Sequence, residues 1–187
     1  MKKEVDLAVE HLRKGHVILY PTDTIWGIGC DATNEAAVEK IYRIKKRTES
    51  KSLIVLLADP GQLTNYVKKV PTIAYDLISS ISKPTTIIYP NAINLAKNVV
   101  AEDNTIAIRI TRYEFCKAMV KEFGKPVVST SANVSGEFPP LAFSKISKEI
   151  LESVDHVVDF HRGTVNETKP STIIKIDERG NFNIIRE

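Results

Sequence analysis

The chain has 187 residues, 43% of them hydrophobic and 26% charged, which at roughly 150 residues per domain predicts one domain, 1–187, with a single core. Its net charge of +3 is too mild to indicate a nucleic-acid partner by itself, and no apolar run reaches the roughly 18 residues of a membrane span. Cys30 and Cys116 lie far apart, with no Cys or His at metal-ligand spacing, which argues against a disulfide framework or a zinc site; with no secretory pattern in "MKKEVDLAVEHLRKG", a cytoplasmic protein with free thiols is expected.

In chain order, residues 4–14 place Val5, Ala8, Val9 and Leu12 on one helical face, closed by Gly15. "HVILY" (16–20) reads as a strand, and the polar, glycine-bearing "PTDTIWGIGCDA" (21–32) as a structured loop. A helix over 34–47 turns Val38, Ile41 and Ile44 inward, with Asn34 as N-cap. "SLIVLL" (52–57) has the continuous apolarity of a strand covered on both faces. Asp59-Pro60-Gly61-Gln62 carries the cap, first-turn Pro and N3 Gln of a helix start, and another helix follows Pro71. "TTIIY" (85–89) and "TIAIRI" (105–110) are strands. Thr111 and Glu114 form a capping box for a helix ending at Gly124. In "KPVVSTSANVSG" (125–136) a strand begins at Pro126, and Ser129 and Thr130 end it. A short helix near 144–152, a strand "HVVDF" (156–160) and a C-terminal hairpin turning at Gly180-Asn181 complete the chain. Helices and strands alternate without strict βαβ units, so the expected class is α/β with a mixed, twisted sheet.

Several chemistries are missing. The sequence has no phosphate-binding G-x-x-x-x-G-K-[ST], no G-x-G-x-x-G and no H-E-x-x-H. His11, His16, His156 and His161 show no ligand spacing and read as surface or packing residues. No G-x-S-x-G surrounds Ser131 and no His lies in its loop, and a hydroxyl without a base is a weak nucleophile. The serines therefore read as hydrogen-bond partners.

Three polar groups remain beside strand ends: Thr22 and Thr24 in "PTDT", the basic segment "KKRTESK", and "STSAN". The basic segment is either a solvated helix end or an anion-binding patch. Arg109, inside an apolar strand, is either an edge residue turned to solvent or a cation in a cleft. Ligands in α/β sheets gather outside strand ends, and hydroxyls with Arg and Lys suit phosphate or carboxylate.

The ordered segments "YPTDTIWGIGCDA", "IKKRTESKSLIVLL", "TIAIRIT", "KPVVSTSANVSG" and "PSTII" resemble the YrdC/TsaC family of threonylcarbamoyl-AMP synthases, over about residues 5–186. The resemblance implies a single-domain member with an open, twisted mixed sheet and flanking helices around a basic concave cavity. It implies a nucleotidyltransferase that makes L-threonylcarbamoyl-AMP and pyrophosphate from L-threonine, bicarbonate and ATP, with Mg2+ bound through the phosphates and no metal held by the protein. Other proteins would then transfer the threonylcarbamoyl group to tRNA. The family's K-x-R motif falls on Lys45 and Arg47 and its S-x-N motif on Ser131 and Asn133, which are taken as the catalytic group. By the same resemblance Arg47, Lys51, Thr105, Asn133 and Arg186 would hold ATP, with Lys45 by the triphosphate, and Thr24, Arg109, Ser131 and Ser171 would hold threonine and its carbamate. Ser52, Leu56, Thr111, Trp26 and "KPTT" (83–86) depart from the commonest family pattern; Leu56 stands where many members have a His at the threonine.

Two other readings compete. A double-stranded RNA or tRNA binder without catalysis would normally carry stacking aromatics, and the basic segment has only Tyr42 nearby. A carbamoyl-transfer domain like that of hydrogenase maturation would normally stand beside acylphosphatase and zinc modules.

Overall fold

The computed structural model describes residues 1–46, 53–163 and 170–187. Helix α1 (Lys2–Arg13) buries Val5, Ala8, Val9 and Leu12 on one face, as their spacing requires. β1 (Ile18–Tyr20) follows. The segment expected as a loop over 21–32 contains a strand, β2 (Gly27–Gly29), antiparallel to β1. Glycine is a poor strand former, but here its missing side chain is required. A Cβ on Gly29 would stand 2.0 Å from the Val128 carbonyl oxygen and 2.9 Å from the Tyr20 ring.

In α2 (Glu35–Lys45) the expected cap is present: Asn34 Oδ1 accepts from Ala37 N at 3.2 Å, a contact worth ~1 kcal/mol. β3 (Ile54–Leu57) comes next. The Asp59 start signal produces a six-residue 3-10 helix, Pro60–Asn65, in which Asp59 accepts from Gly61 N and Gln62 from Asp59 N. Then come α3 (Thr72–Ser80), β4 (Thr85–Tyr89), β5 (Ile106–Ile110) and α4 (Glu114–Phe123). The Thr111–Glu114 capping box does not form. Tyr113 is the N-cap, without a side-chain bond, because Thr111 is drawn into the interior, where its N–H donates to Leu57 O. Gly124 closes α4 with φ +77°.

β6 (Val127–Ser131) continues through Ser129 and Thr130 rather than ending at them. α5 (Lys148–Ser153) is capped by Ser147. β7 (His156–Val157) is shorter than expected. β8 (Thr172–Ile176) and β9 (Phe182–Arg186) form the terminal hairpin, turning through Gly180. Among the described residues no helix is long and apolar enough to cross a membrane.

The strands form one sheet in the order β7-β1-β2-β6-β3-β5-β4-β8-β9. The pairs β1–β7, β3–β5 and β4–β8 are parallel and the others antiparallel, so the sheet is mixed, as its sequence predicts. One face, carrying Ile28, Val55, Leu57, Ile87, Ile108 and Ile174, forms the larger core with α2 and α3. The other is covered over only part of its area. Ile18, Tyr20, Leu56 and Val127 pack beneath α1 and α4, whereas Ile54, Ile88, Ala107, Arg109 and Ile173 border an open hollow.

Three dispersed histidines meet beside β1. The His11 and His156 rings stack at 4.4 Å, and His11 Nδ1 lies 2.9 Å from His16 Nδ1. Burial first, and neighbouring positive charge second, hold His11 and His156 below their ordinary value. The unfolded chain therefore binds more protons than the fold over the interval below about pH 6.5, and stability is complete above it. Chemical unfolding followed against pH should show stability falling as pH drops through that interval, with a flatter profile in His11→Gln; an unchanged slope would contradict the assignment.

The close approach at Gly29 gives a second expectation. Gly29→Ala should cost roughly 3 kcal/mol or more, at the upper end of overpacking effects. Gly163→Ala, where an added Cβ meets nothing within 4 Å, should stay within about 0.5 kcal/mol. Urea midpoints of the two variants make the comparison.

Candidate active site

The hollow is a cavity of about 350 Å3. Its lining brings together Thr24, Arg109, Ser131, Ser171 and Arg186 with Thr22, Ser129 and Thr130. The hydroxyls come from three places. Thr22 and Thr24 lie on the turn between β1 and β2, where Thr22 Oγ1 donates to Ile25 O at 2.6 Å and shares a hydrogen bond with Thr24 Oγ1 at 3.1 Å. Ser129–Ser131 belong to β6, which pairs with Gly27 and Ile28 of β2. Ser171 immediately precedes β8.

Of the two readings open for Arg109, the cleft is the one observed. Its side chain is 8% exposed. Nη1 donates to Asp23 Oδ1 at 3.1 Å, and Nε to Thr86 Oγ1 at 3.2 Å. Thr86 is fully buried and shares a 3.0 Å hydrogen bond with Ser171 Oγ. Accepting from Arg109, its hydroxyl has its own hydrogen available for Ser171. Arg186 donates through Nε and Nη2 to Ser171 O at 3.1 and 2.8 Å. Ser171 thus links both guanidiniums. Burial, and then the Arg109 charge, push Arg186 below its ordinary value. Arg109 and Arg186 are the charged groups among the described lining residues, so the hollow is positive. No His, Asp or Glu among the described lining residues stands beside Ser131 as a base.

The other expected site residues lie elsewhere. Lys45 Nζ donates to Ser131 O at 2.5 Å and Asn133 O at 2.7 Å, pinning the chain after β6, and lies 3.5 Å from Ser131 Oγ at the edge of the hollow. Asn133 donates through Nδ2 to Val134 O and Glu137 O, which fixes its amide orientation and leaves Oδ1 buried without a partner among the described residues. Neither lines the hollow, and nor does Thr105, whose Oγ1 donates to Asp103 at 2.6 Å. Arg47, Lys51 and Ser52 lie outside the described residues. Leu56 belongs to the core beneath α1 and α4. Cys30 and Cys116 are buried free thiols, both pushed upward by burial.

Sequence reading missed Asp23 and Thr86 as the groups that orient Arg109. Asp23 sits inside "PTDT" and could have been noticed; Thr86 gave no signal beyond being a polar residue in an apolar strand.

Thr86→Val keeps the shape but removes the shared hydroxyl. It should lower stability by roughly 1–3 kcal/mol, the cost of leaving buried donors short of a partner, measured by urea unfolding.

Comparison with known proteins places this architecture among relatives. The family model for Sua5, YciO and YrdC, described as telomere recombination, matches residues 10–187. A threonylcarbamoyl-AMP synthase of Pseudoalteromonas translucida is 40% identical over 169 residues, 89% of each chain. P. abyssi Sua5 is similar in two structures, at TM-scores of 0.89 and 0.83 and identities of 24% and 23%, the second complexed with L-threonine. The matches cover 100% and 94% of this chain but 54% and 52% of Sua5, so the chain spans about half of that protein's length. E. coli YciO is 26% identical with a TM-score of 0.86, covering 100% of this chain and 90% of its own.

Proposed function

This chain belongs to the Sua5, YciO and YrdC family, and on that premise we propose that it is a threonylcarbamoyl-AMP synthase. It condenses L-threonine and bicarbonate to an N-carboxy species with loss of water. That carboxylate attacks the α-phosphate of ATP, giving L-threonylcarbamoyl-AMP and releasing pyrophosphate. The observation that carries the reading is the convergence of Thr24, Arg109, Ser131 and Ser171 on one positive hollow.

In this reading Arg109 receives the carboxylate of threonine or of its carbamate. Two of the guanidinium's five N–H donors are taken, by Asp23 and Thr86, and the rest are available to an anion. Thr24, Ser131 and Ser171 orient the amino acid through neutral hydroxyls. Arg186 stands where it can offset charge on the nucleotide. The reactants are both anions, so cations fixed in a partly dry site lower their repulsion and stabilise the departing pyrophosphate. No covalent enzyme intermediate is required, which suits hydroxyls without a base. Holding both reactants in one geometry supplies part of the rate, with an upper range of ~7–11 kcal/mol in well-oriented systems.

Arg47 and Lys51 are proposed for ATP on the resemblance alone. Lys45 serves in this scheme by setting the backbone at Ser131 and Asn133. Asn133 keeps one acceptor for the nucleotide end. Among the described residues no three His, Cys, Asp or Glu side chains converge as a protein metal site; a magnesium ion would be held mainly by phosphate oxygens and water. The product would pass to proteins that modify tRNA.

Pyrophosphate release should depend on threonine, bicarbonate and ATP together. Arg109→Ala should lower kcat/KM for threonine by about 10–100-fold, the range for losing a charged hydrogen-bonding partner, with circular dichroism confirming the fold. Release that ignores threonine would overturn the synthase reading; near-normal kinetics in the variant would overturn the role of Arg109.

A further inference from the structure

A second cavity, of about 280 Å3, lies on the opposite face of the sheet from the hollow. Strand alternation makes the distinction: Ile88, Ala107 and Arg109 border the first cavity, whereas Ile87, Tyr89, Ile108 and Ile110 border the second. Its other wall is Leu77 and Ile78 of α3 with Ile81 just beyond. The register of β4 on β5 sets Ile87 opposite Ile108 and Tyr89 opposite Ile106, so Thr85 lies toward the Ile110 end. With a rise of about 3.4 Å per residue, the slot runs roughly 13 Å from Thr85 to Tyr89.

The two ends differ in chemistry. Lys83, Thr85, Arg112, Tyr113 and Asp23 surround the Thr85 end. The Asp23 carboxylate is already matched by Arg109. Lys83 Nζ has no ion pair among the described residues, and Arg112 holds the carbonyls of Ile78 and Ser82 while remaining exposed. That mouth is therefore cationic. The Tyr89 end is nearly closed. Tyr89 is 1% exposed and lines the cavity. The branched aliphatic walls offer water few partners. Packed cores rarely keep voids this large.

We propose that this slot is a second ligand site, which takes a small amphiphilic carboxylate. The apolar body lies between α3 and the β4–β5 pair, and the carboxylate stays at the mouth with Lys83 and Arg112. At about 280 Å3 the space is just below the roughly 300–1,000 Å3 of drug-sized sites, so the occupant is a medium-chain or single-ring acid rather than a long lipid. The donors of the lining, Lys83, Arg112 and Thr85 among them, gather at the mouth, whereas Leu77, Ile78, Ile87 and Ile108 wall the body, which suits one anionic group on an apolar body better than a nucleotide.

The test uses the whole chain with methyl-labelled isoleucine. Octanoate, kept below its micelle-forming concentration, should give saturable shifts and intermolecular Overhauser contacts at Ile78, Ile87 and Ile108. Octanol should bind more weakly at the same methyls, and octylamine more weakly still. Lys83→Glu, a change at an exposed position, should weaken octanoate by roughly three- to tenfold, as expected for reversing one solvent-facing charge contact, and leave octanol unchanged. Ile81→Trp should abolish all three contacts by filling the slot. Absence of saturable shifts in the unaltered chain would overturn the site. Equal binding of octanoate and octylamine would overturn the acid as its ligand.

Discussion

Arg109 is a permanent charge in a place that water hardly reaches. Moving such a group out of water costs several kcal/mol even after relaxation, and its surroundings must offset that cost. Asp23 supplies one opposite charge and Thr86 one acceptor, and both contacts are long by the standards of charged hydrogen bonds. The guanidinium is held in place without being satisfied. The surrounding geometry follows from that requirement. β4 must lie next to β5 so that Thr86 reaches Nε, and the 21–26 turn must cross the end of β5 to bring Asp23 to Nη1. β8 must then flank β4 to place Ser171 against Thr86. An incoming carboxylate completes a coordination that the protein has left partly open, and preorganised donors of this kind need little rearrangement when a ligand arrives.

The hollow exists because one face of the sheet is incompletely roofed. α1 and α4 cover Ile18, Tyr20, Leu56 and Val127 and stop there. Below that edge, residues on the same side of the same strands become lining: Leu56 is core, while Ile54, two residues earlier, faces ligand space. The same edge decides the setting of Leu56. In this structure the position lies under the helical roof, where an aliphatic side chain is buried at no polar cost. Gly27 and Gly29 bring β2 close against β6, and Lys45 ties the far end of β6 through two carbonyls. Both devices fix the backbone that carries Ser131, and Lys45 Nζ also stands 3.5 Å from its hydroxyl.

Much of this was legible in local sequence. Hydroxyl clusters next to apolar runs are short-range signals, and those in PTDT and STSAN meet in one cavity, whereas Ser171 was expected there only from the family resemblance. Caps that depend on two or three residues, at Asn34 and Asp59, appear as read. What failed to read depends on partners distant in the chain. Gly27–Gly29 resembles a loop until Tyr20 and Val128 are known to press on it from both sides. Thr111 resembles a cap until Leu57 draws its backbone inward. Thr105 precedes β5, the strand that carries Arg109, but four residues of strand span roughly 13 Å, which sets it at the opposite end. Register between strands decides such cases, and composition does not encode register.

Asp23 has a consequence beyond Arg109. Its carboxylate holds the arginine that lines the hollow on one face of the sheet, and it also borders the slot on the other. The sheet is one backbone thick, so the two cavities are separated by a single layer of strands and joined by one ion pair at their shared edge. That pair lies in a region where water screens poorly, and charge placed at either mouth is felt at the other more strongly than through bulk solvent. A carboxylate at this position therefore ties the electrostatics of one face to those of the other, whereas a neutral hydrogen-bond acceptor would orient Arg109 without creating that dependence.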